Sequence, residues 1–196
     1  MKNIFIDCGS NLGQGYEQVK SLQNIDSNWD VFMFEPNPNC FESLKKKYSR
    51  FENISIHKEG VYDRDGETEF HITTDLNGNL NKYSQGSKIS ETLNMFVDRK
   101  RFYGYSKPIK VKLRRLSKFV NSLESNNIIL KIDVEGSELA IINDLIEQGS
   151  FINIKHLYVE FHNNAIDKDK SETYNEQRTE IINFLKKNNV GFTEWH

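Results

Sequence analysis

Four short apolar runs in the chain each end on an acid: Ile4-Phe5-Ile6-Asp7, Val31-Phe32-Met33-Phe34-Glu35, Ile128 to Asp133, and Leu157-Tyr158-Val159-Glu160. A run that is apolar at every position, rather than at every second one, is the pattern of a parallel strand whose two faces are both covered by helices. Ligands of such sheets bind at the carboxyl ends of the strands. The pattern therefore predicts that Asp7, Glu35, Asp133 and Glu160 crowd one rim of the sheet.

Between these runs the periodicity switches to helical spacing. A helix is predicted from Gln14 to Leu22, and a second, capped by Asn39, carries Phe41, Leu44 and Tyr48 after the loop that Pro36 and Pro38 enforce. Ile54-Ser55-Ile56 alternates as a third strand, Glu59 to Asp65 reads as a loop turning at Asp65-Gly66, and Thr68 to Ile72 reads as an accessory strand. Ile109, Val111 and Leu113 alternate, and Leu116, Phe119, Val120 and Leu123 follow at helical spacing. After the run ending at Asp133 comes a helix with Leu139, Ile142, Leu145 and Ile146; after the strand at Leu157 to Phe161 and the polar stretch His162 to Lys170 comes a last helix with Ile181, Ile182, Phe184 and Leu185. Val190 to Trp195 can supply a sixth strand. Strand and helix alternating in this way define an α/β fold with a mostly parallel sheet and helices on both faces.

Composition narrows the class. A chain of 196 residues, 37% hydrophobic and 28% charged, reads as one globular domain spanning 1–196. No stretch approaches the ~20 apolar residues of a membrane span, and Met1-Lys2-Asn3 leaves no room for a signal peptide before the first strand. Cys8 and Cys40 fit no metal or disulfide spacing, so a cytoplasmic protein with two small thiols is expected. The net charge of −2 hides an asymmetry: Lys82 to Lys118 holds eleven basic residues against Glu91 and Asp98, a local +9 that leaves −11 for the rest. Tyr83, Phe96, Phe102, Tyr103 and Tyr105 are interleaved with them. This basic insertion, at about 75–110, is either a solvated surface or a wall attracting an anionic substrate.

The turn after the first strand, Cys8-Gly9-Ser10-Asn11-Leu12-Gly13, holds the most specific local chemistry. Gly9 and Gly13 let the backbone approach a ligand, and the helix N-terminus beyond them offers unpaired amides. Glycines 9, 13 and 15 do not fit the dinucleotide fingerprint, which excludes a nicotinamide-type site. Asp7 before the first glycine suits the cationic amino group of an amino-acid-bearing cofactor better than a pyrophosphate. Glu35 lies twenty-two residues after Gly13, about the ~20-residue spacing at which an acid reaches a ribose hydroxyl.

Phe5-Ile6-Asp7-Cys8-Gly9-Ser10-Asn11-Leu12-Gly13, Phe34-Glu35-Pro36-Asn37-Pro38, Leu130-Lys131-Ile132-Asp133-Val134-Glu135-Gly136-Ser137-Glu138 and Val159-Glu160-Phe161-His162 together resemble the FkbM family of S-adenosylmethionine-dependent methyltransferases, in family order and over nearly the whole chain. The resemblance implies a Rossmann-like class I methyltransferase sheet, S-adenosyl-L-methionine as cofactor, and O-methylation of a hydroxyl on a sugar, glycan, lipid or polyketide. It puts the cofactor's methionine end at Asp7, Gly9, Ser10, Asn11 and Gly13, its ribose at Glu35 beside Pro36, its adenine along Gly60-Val61, and its methyl near Asp133. Two departures stand out: family members often have helices before the first strand, and class I sheets usually close with a sixth and seventh strand as a hairpin, for which this chain has too few residues. The basic insertion is then the expected substitute in acceptor recognition.

Methyl transfer from a sulfonium is an in-line displacement that needs an aligned acceptor and a base for its proton. Asp133, Glu135, Glu160 and His162 are the candidates, His162 because an unperturbed imidazole titrates near neutrality. Asp133, Glu135 and Glu160 are also oxygen donors of the type Mg²⁺ takes, but no spacing demands a metal and none is assigned. The acceptor is expected to be a small molecule or glycan, anionic if the basic insertion faces it. Two alternatives remain at this point: a nucleic-acid methyltransferase whose basic segment grips phosphates, and a non-catalytic cofactor-binding module.

Overall fold

The computed structural model describes residues 2–75, 77, 79, 86–93, 104–162 and 168–195. The chain begins with β1 (Asn3–Cys8), α1 (Gln14–Gln23), β2 (Trp29–Phe34), α2 (Pro38–Tyr48) and β3 (Ile54–His57). A region of small strands follows: β4 (Gly60–Tyr62), β5 (Gly66–His71), β6 (Thr73–Thr74), β7 (Lys88–Ile89), the single-turn α3 (Ser90–Leu93), β8 (Gly104–Tyr105) and β9 (Ile109–Arg115). Then come α4 (Leu116–Asn121), β10 (Ile128–Ile132), α5 (Glu138–Glu147), a short 3-10 turn (Ser150–Ile152), β11 (Ile154–Val159), α6 (Lys168–Lys187) and β12 (Gly191–Glu194). Among the described residues no helix is long and apolar enough to cross a membrane.

The main sheet has the order β12-β11-β10-β1-β2-β3, and every neighbouring pair is parallel. This is an α/β fold built on a parallel sheet, as the acid-ended apolar runs require. Successive side chains of a strand leave opposite faces. Ile4, Ile6 and Cys8 of β1 therefore join the larger core with Ile128, Leu130 and Ile132, under α4, α5 and α6. Phe5 and Ile129 join the smaller core with Tyr16 and Val19 of α1 and Leu44 and Tyr48 of α2. Because β1 connects onward to β2 on one side and pairs with β10 on the other, the strand order reverses at β1, and the crevice at its carboxyl end is where such a sheet opens to a ligand.

A second sheet, β4-β9-β5-β7, stands beside the first and contributes Val61, Phe70, Ile89, Val111 and Leu113 to the larger core. It corrects the reading of Glu59 to Asp65 as a loop. Gly60–Tyr62 is a strand, parallel to β9 with Gly60 opposite Leu113. Three residues are too few to show a period, and the partner that makes them a strand lies fifty-three residues away. The α2 cap is likewise corrected: Asn37, not Asn39, is the N-cap, its side chain accepting from the Asn39 amide at 3.0 Å, with Pro38 at the first helical position where its fixed φ and missing N–H are tolerated. β11 starts at Ile154, three residues before the predicted strand, and ends at Val159, so Glu160 and His162 lie just beyond it. β12 is a single parallel edge strand.

Of the basic insertion, Lys82, Arg99, Lys100 and Arg101, with Tyr83, Phe96, Phe102 and Tyr103, lie outside the described residues. Three of the seven described basic residues between Lys82 and Lys118 are held in ion pairs. Arg114 holds Glu59 through Nε and Nη2 at 2.6 and 3.2 Å, Arg115 holds Asp144, and Lys118 reaches Asp65 at 2.8 Å.

Candidate functional site

At the carboxyl edge of β1, β2 and β10 the structure opens a cavity of about 340 Å³. Gly9, Ser10, Asn11, Glu35, Pro36, Gly60, Val61, Asp133, Glu135 and Glu160 all line it, so ten of the residues singled out from the sequence meet in one place. The turn after β1 makes this possible. Gly9 has φ +79°, and a Cβ on it would stand 1.8 Å from the carbonyl oxygen of Asp133, so only glycine lets the ends of β1 and β10 come this close. The Gly9 and Ser10 amides both donate to the Phe34 carbonyl, at 3.0 and 3.1 Å, which ties the turn to the end of β2.

Glu35 closes one end of the cavity. Its two carboxylate oxygens accept from the backbone amides of Asn11 at 2.7 Å and Asn37 at 2.8 Å. Burial pushes its pKa up to about 7, against the pull of those two amides. Each oxygen keeps a second lone pair for a ligand donor. Beside it Asn37, also a lining residue, is 1% exposed, and its Nδ2 is buried with no hydrogen-bond partner among the described residues. A buried amide donor left unpaired is costly. An acceptor carboxylate next to an unsatisfied donor, walled by Pro36, Cys40 and Val61, fits a ribose with a flat base beyond it.

The opposite end is acidic. Asp133 accepts from Lys131 Nζ at 3.2 Å. Glu160 is partly exposed, and among the described residues the donor it meets is His162 Nε2, at 3.8 Å; burial and the neighbouring Asp133 charge raise its pKa, while His162 opposes them. Glu135 sits at φ +59°, a left-handed conformation uncommon for a residue with a side chain. Its carboxylate accepts from the Gly86 amide at 2.7 Å and from His162 Nε2 at 3.2 Å, which outweighs burial and holds its pKa low. This tie draws the stretch bearing Ser87 and Ile89, both lining residues, over the cavity.

His162 is the main correction to the sequence reading. It does not line the cavity, and both ring nitrogens face carboxylates: Nδ1 stands 3.0 Å from Glu138 Oε1 and Nε2 3.2 Å from Glu135 Oε2. Burial alone would lower its pKa, but Glu138 and Glu135 lift it to about 11. An imidazolium that donates from both nitrogens has no lone pair with which to take an acceptor's proton. Asp133, Glu160 and His162 each bring one ligand-capable atom within 4.8 Å of the others, yet this histidine is committed as a donor.

Two glycine-turn residues are also placed otherwise. Asp7 is fully buried beneath the cavity and faces Lys131 instead of lining it. Gly13, at φ +87°, caps α1, and a Cβ there would meet the Tyr48 hydroxyl at 2.6 Å, so its role is packing. Sequence reasoning in turn missed Asn37, Lys131 and Glu138 as functional groups. For Lys131 a signal existed: it is a charge in the middle of an otherwise apolar strand. Glu138 is fully buried and accepts from the Val134 and Gly136 amides as well as from His162, so it shapes the turn that presents Asp133 and Glu135. Its helix-start position announced only a cap.

The parallel sheet with its reversal at β1, and a buried carboxylate at one end of the crevice there, define an α/β protein of the doubly wound class. The Methyltransferase FkbM domain model matches residues 7–192, and the chain belongs to the FkbM methyltransferase family. Among solved structures, methyltransferase FkbM from Methylobacillus flagellatus KT is similar at 14% identity and a TM-score of 0.43, over 75% of this chain and 30% of that one, so the chain matches less than a third of its length. The comparison with curated proteins finds no match.

Proposed function

We propose that this protein is an S-adenosyl-L-methionine-dependent O-methyltransferase acting on a hydroxyl of a sugar, a glycan or a nucleotide-linked sugar. The observation that carries the reading is the polarity of one cavity: Glu35 and the unsatisfied Asn37 amide at one end, the open Glu160 carboxylate at the other. When bound, the cofactor supplies an electrophilic methyl on a sulfonium. Glu35 and Asn37 would hold its ribose, Pro36, Gly60 and Val61 would flank its base, and the turn Gly9 to Asn11 would meet its methionine end.

Glu160 is the base in this reading, because Asp133 is engaged by Lys131 and Glu135 by Gly86 and His162. Glu160 would accept the proton of the acceptor hydroxyl as that oxygen takes the methyl the bound cofactor would supply. A carboxylate whose pKa lies above the usual range is better matched to that task. The carboxylates of Asp133, Glu135 and Glu160 at this end support a neutral hydroxyl as acceptor; among the described residues, Arg114, Arg115 and Lys118 are in ion pairs and do not line the cavity. The same observation weighs against a nucleic-acid acceptor. The proposed compartment is the cytoplasm, consistent with two buried free cysteines.

The test has two stages. Calorimetry is expected to detect S-adenosylhomocysteine binding and none of a nicotinamide dinucleotide; the reverse pattern overturns the cofactor. Labelled-methyl transfer to a panel of nucleotide sugars and capped RNA then separates the acceptors, and methylation confined to RNA overturns the sugar assignment.

A further inference from the structure

Lys131 takes no direct part in the reaction outlined above, yet it is among the largest fully buried side chains in the protein, at 2% exposure. β1 pairs with β10 so that Asp7 stands opposite Lys131, and both side chains leave the sheet on the face that α1 covers. There Gly15 makes room, since a Cβ on it would lie 2.4 Å from Lys131 Cε. The ammonium reaches Asp7 Oδ1 at 3.4 Å and Asp133 Oδ2 at 3.2 Å, and the Trp195 ring lies 5.7 Å from it. Burial works against this charge, but the two acids more than compensate and keep it protonated.

A buried lysine–aspartate pair is a poor stabiliser of a strand interior, because desolvating both charges consumes most of their attraction. Lys131 is also a lining residue of the cavity, whereas Asp7 is buried beneath it with no hydrogen-bond partner on either oxygen among the described residues. The acid that the sequence offers to a cofactor's ammonium thus already faces a cation of the chain's own. An ammonium has three N–H donors, and here it bonds Asp133 at 3.2 Å while Asp7 Oδ1, at 3.4 Å, is an ion-pair partner only. What Lys131 adds to this otherwise acidic part of the cavity is therefore a fixed ammonium, the one cation among its described lining residues.

We propose that Lys131 receives the carboxylate of the cofactor's amino-acid end, and that it makes the site prefer thioether nucleosides that carry this group over those that lack it. The inference rests on the cofactor assigned under the proposed function. The lysine stem packs over Gly15 and its ammonium lies by the Trp195 ring before any ligand arrives, so little side-chain freedom is lost on binding. A charge-assisted bond in a water-poor site is the strong kind.

Calorimetry on the full chain tests this with two probes, S-adenosylhomocysteine and 5′-methylthioadenosine, which share the nucleoside and differ in the amino-acid group. Wild type is expected to bind the first more tightly. Lys131→Met is expected to weaken S-adenosylhomocysteine about 10- to 100-fold, the range for a lost hydrogen bond to a charged group, and to leave 5′-methylthioadenosine unchanged. Should the single variant unfold on account of the stranded Asp7, the double variant Asp7→Asn/Lys131→Met removes both buried charges and gives the same readout. Equal losses for the two probes would make Lys131 a purely structural residue and overturn the inference. A wild type that binds both probes equally would overturn it while sparing the nucleoside site. A wild type that binds neither would overturn the cofactor assignment together with the inference.

Discussion

At the scale of single residues, the site is organised by which charges are neutralised and which are left open. His162 is a counter-charge: removing its ring leaves the buried Glu138 and the Glu135 carboxylate facing each other's field. His162→Ala is expected to cost about 3–5 kcal/mol in urea denaturation, the range for breaking a buried pair. Since its folded pKa of about 11 lies above the ordinary 6.5, the stability it adds is fully present below pH 6.5 and is lost as pH rises through about 11. The gap between wild type and variant should therefore narrow in alkali, and a gap that widened there would contradict the imidazolium. Glu35 gives a second pH signature. Its carboxylate must be ionised to accept from ribose hydroxyls as well as from two amides, and its pKa in the free protein is about 7. S-adenosylhomocysteine affinity should fall as pH drops from about 8 to about 6, with proton release on binding at the lower value. Affinity that stays flat across that window would remove Glu35 from the ribose.

At the scale of elements, the close crossing of β1 and β10 depends on one glycine. Gly9→Ala puts a methyl 1.8 Å from the Asp133 carbonyl and an L-residue at φ +79°. The expected loss is at least ~2 kcal/mol, and S-adenosylhomocysteine binding should fall with it, because the strand ends that frame the cavity must part. A variant as stable as wild type would mean that the turn can relax without moving β10. The elements most legible in the sequence were those with a long period: β1, β2, β10 and α1 fall where the apolar runs and helical spacing predicted them. β4 was not legible, and neither was the shift of the cap to Asn37. Both depend on a partner or a proline geometry that a local pattern does not report.

At the scale of the molecule, the second sheet is not an appendage: Val61, Phe70, Ile89, Val111 and Leu113 share one buried cluster with Ile4, Leu130 and Ile142 of the main fold. We propose that the chain is one cooperative domain. Tryptophan fluorescence and far-ultraviolet dichroism should then report a single coincident unfolding transition; two separated transitions would make the small-strand region an independent unit. By itself the sequence determined the parallel sheet, the rim of acids at its carboxyl edge and the glycine turn beside them, because each follows from a short-range rule: burial on both faces, a polar end to every strand, a conformation only glycine tolerates. Only the tertiary structure decided what each acid does. Asp7 is sealed against Lys131 across a strand register, Glu135 is bound by Gly86, forty-nine residues before it, and His162 is charged by Glu138, twenty-four residues away. A side chain's protonation and availability depend on burial and on the charges within a few ångströms, and those neighbours come from parts of the chain that meet only after it has folded.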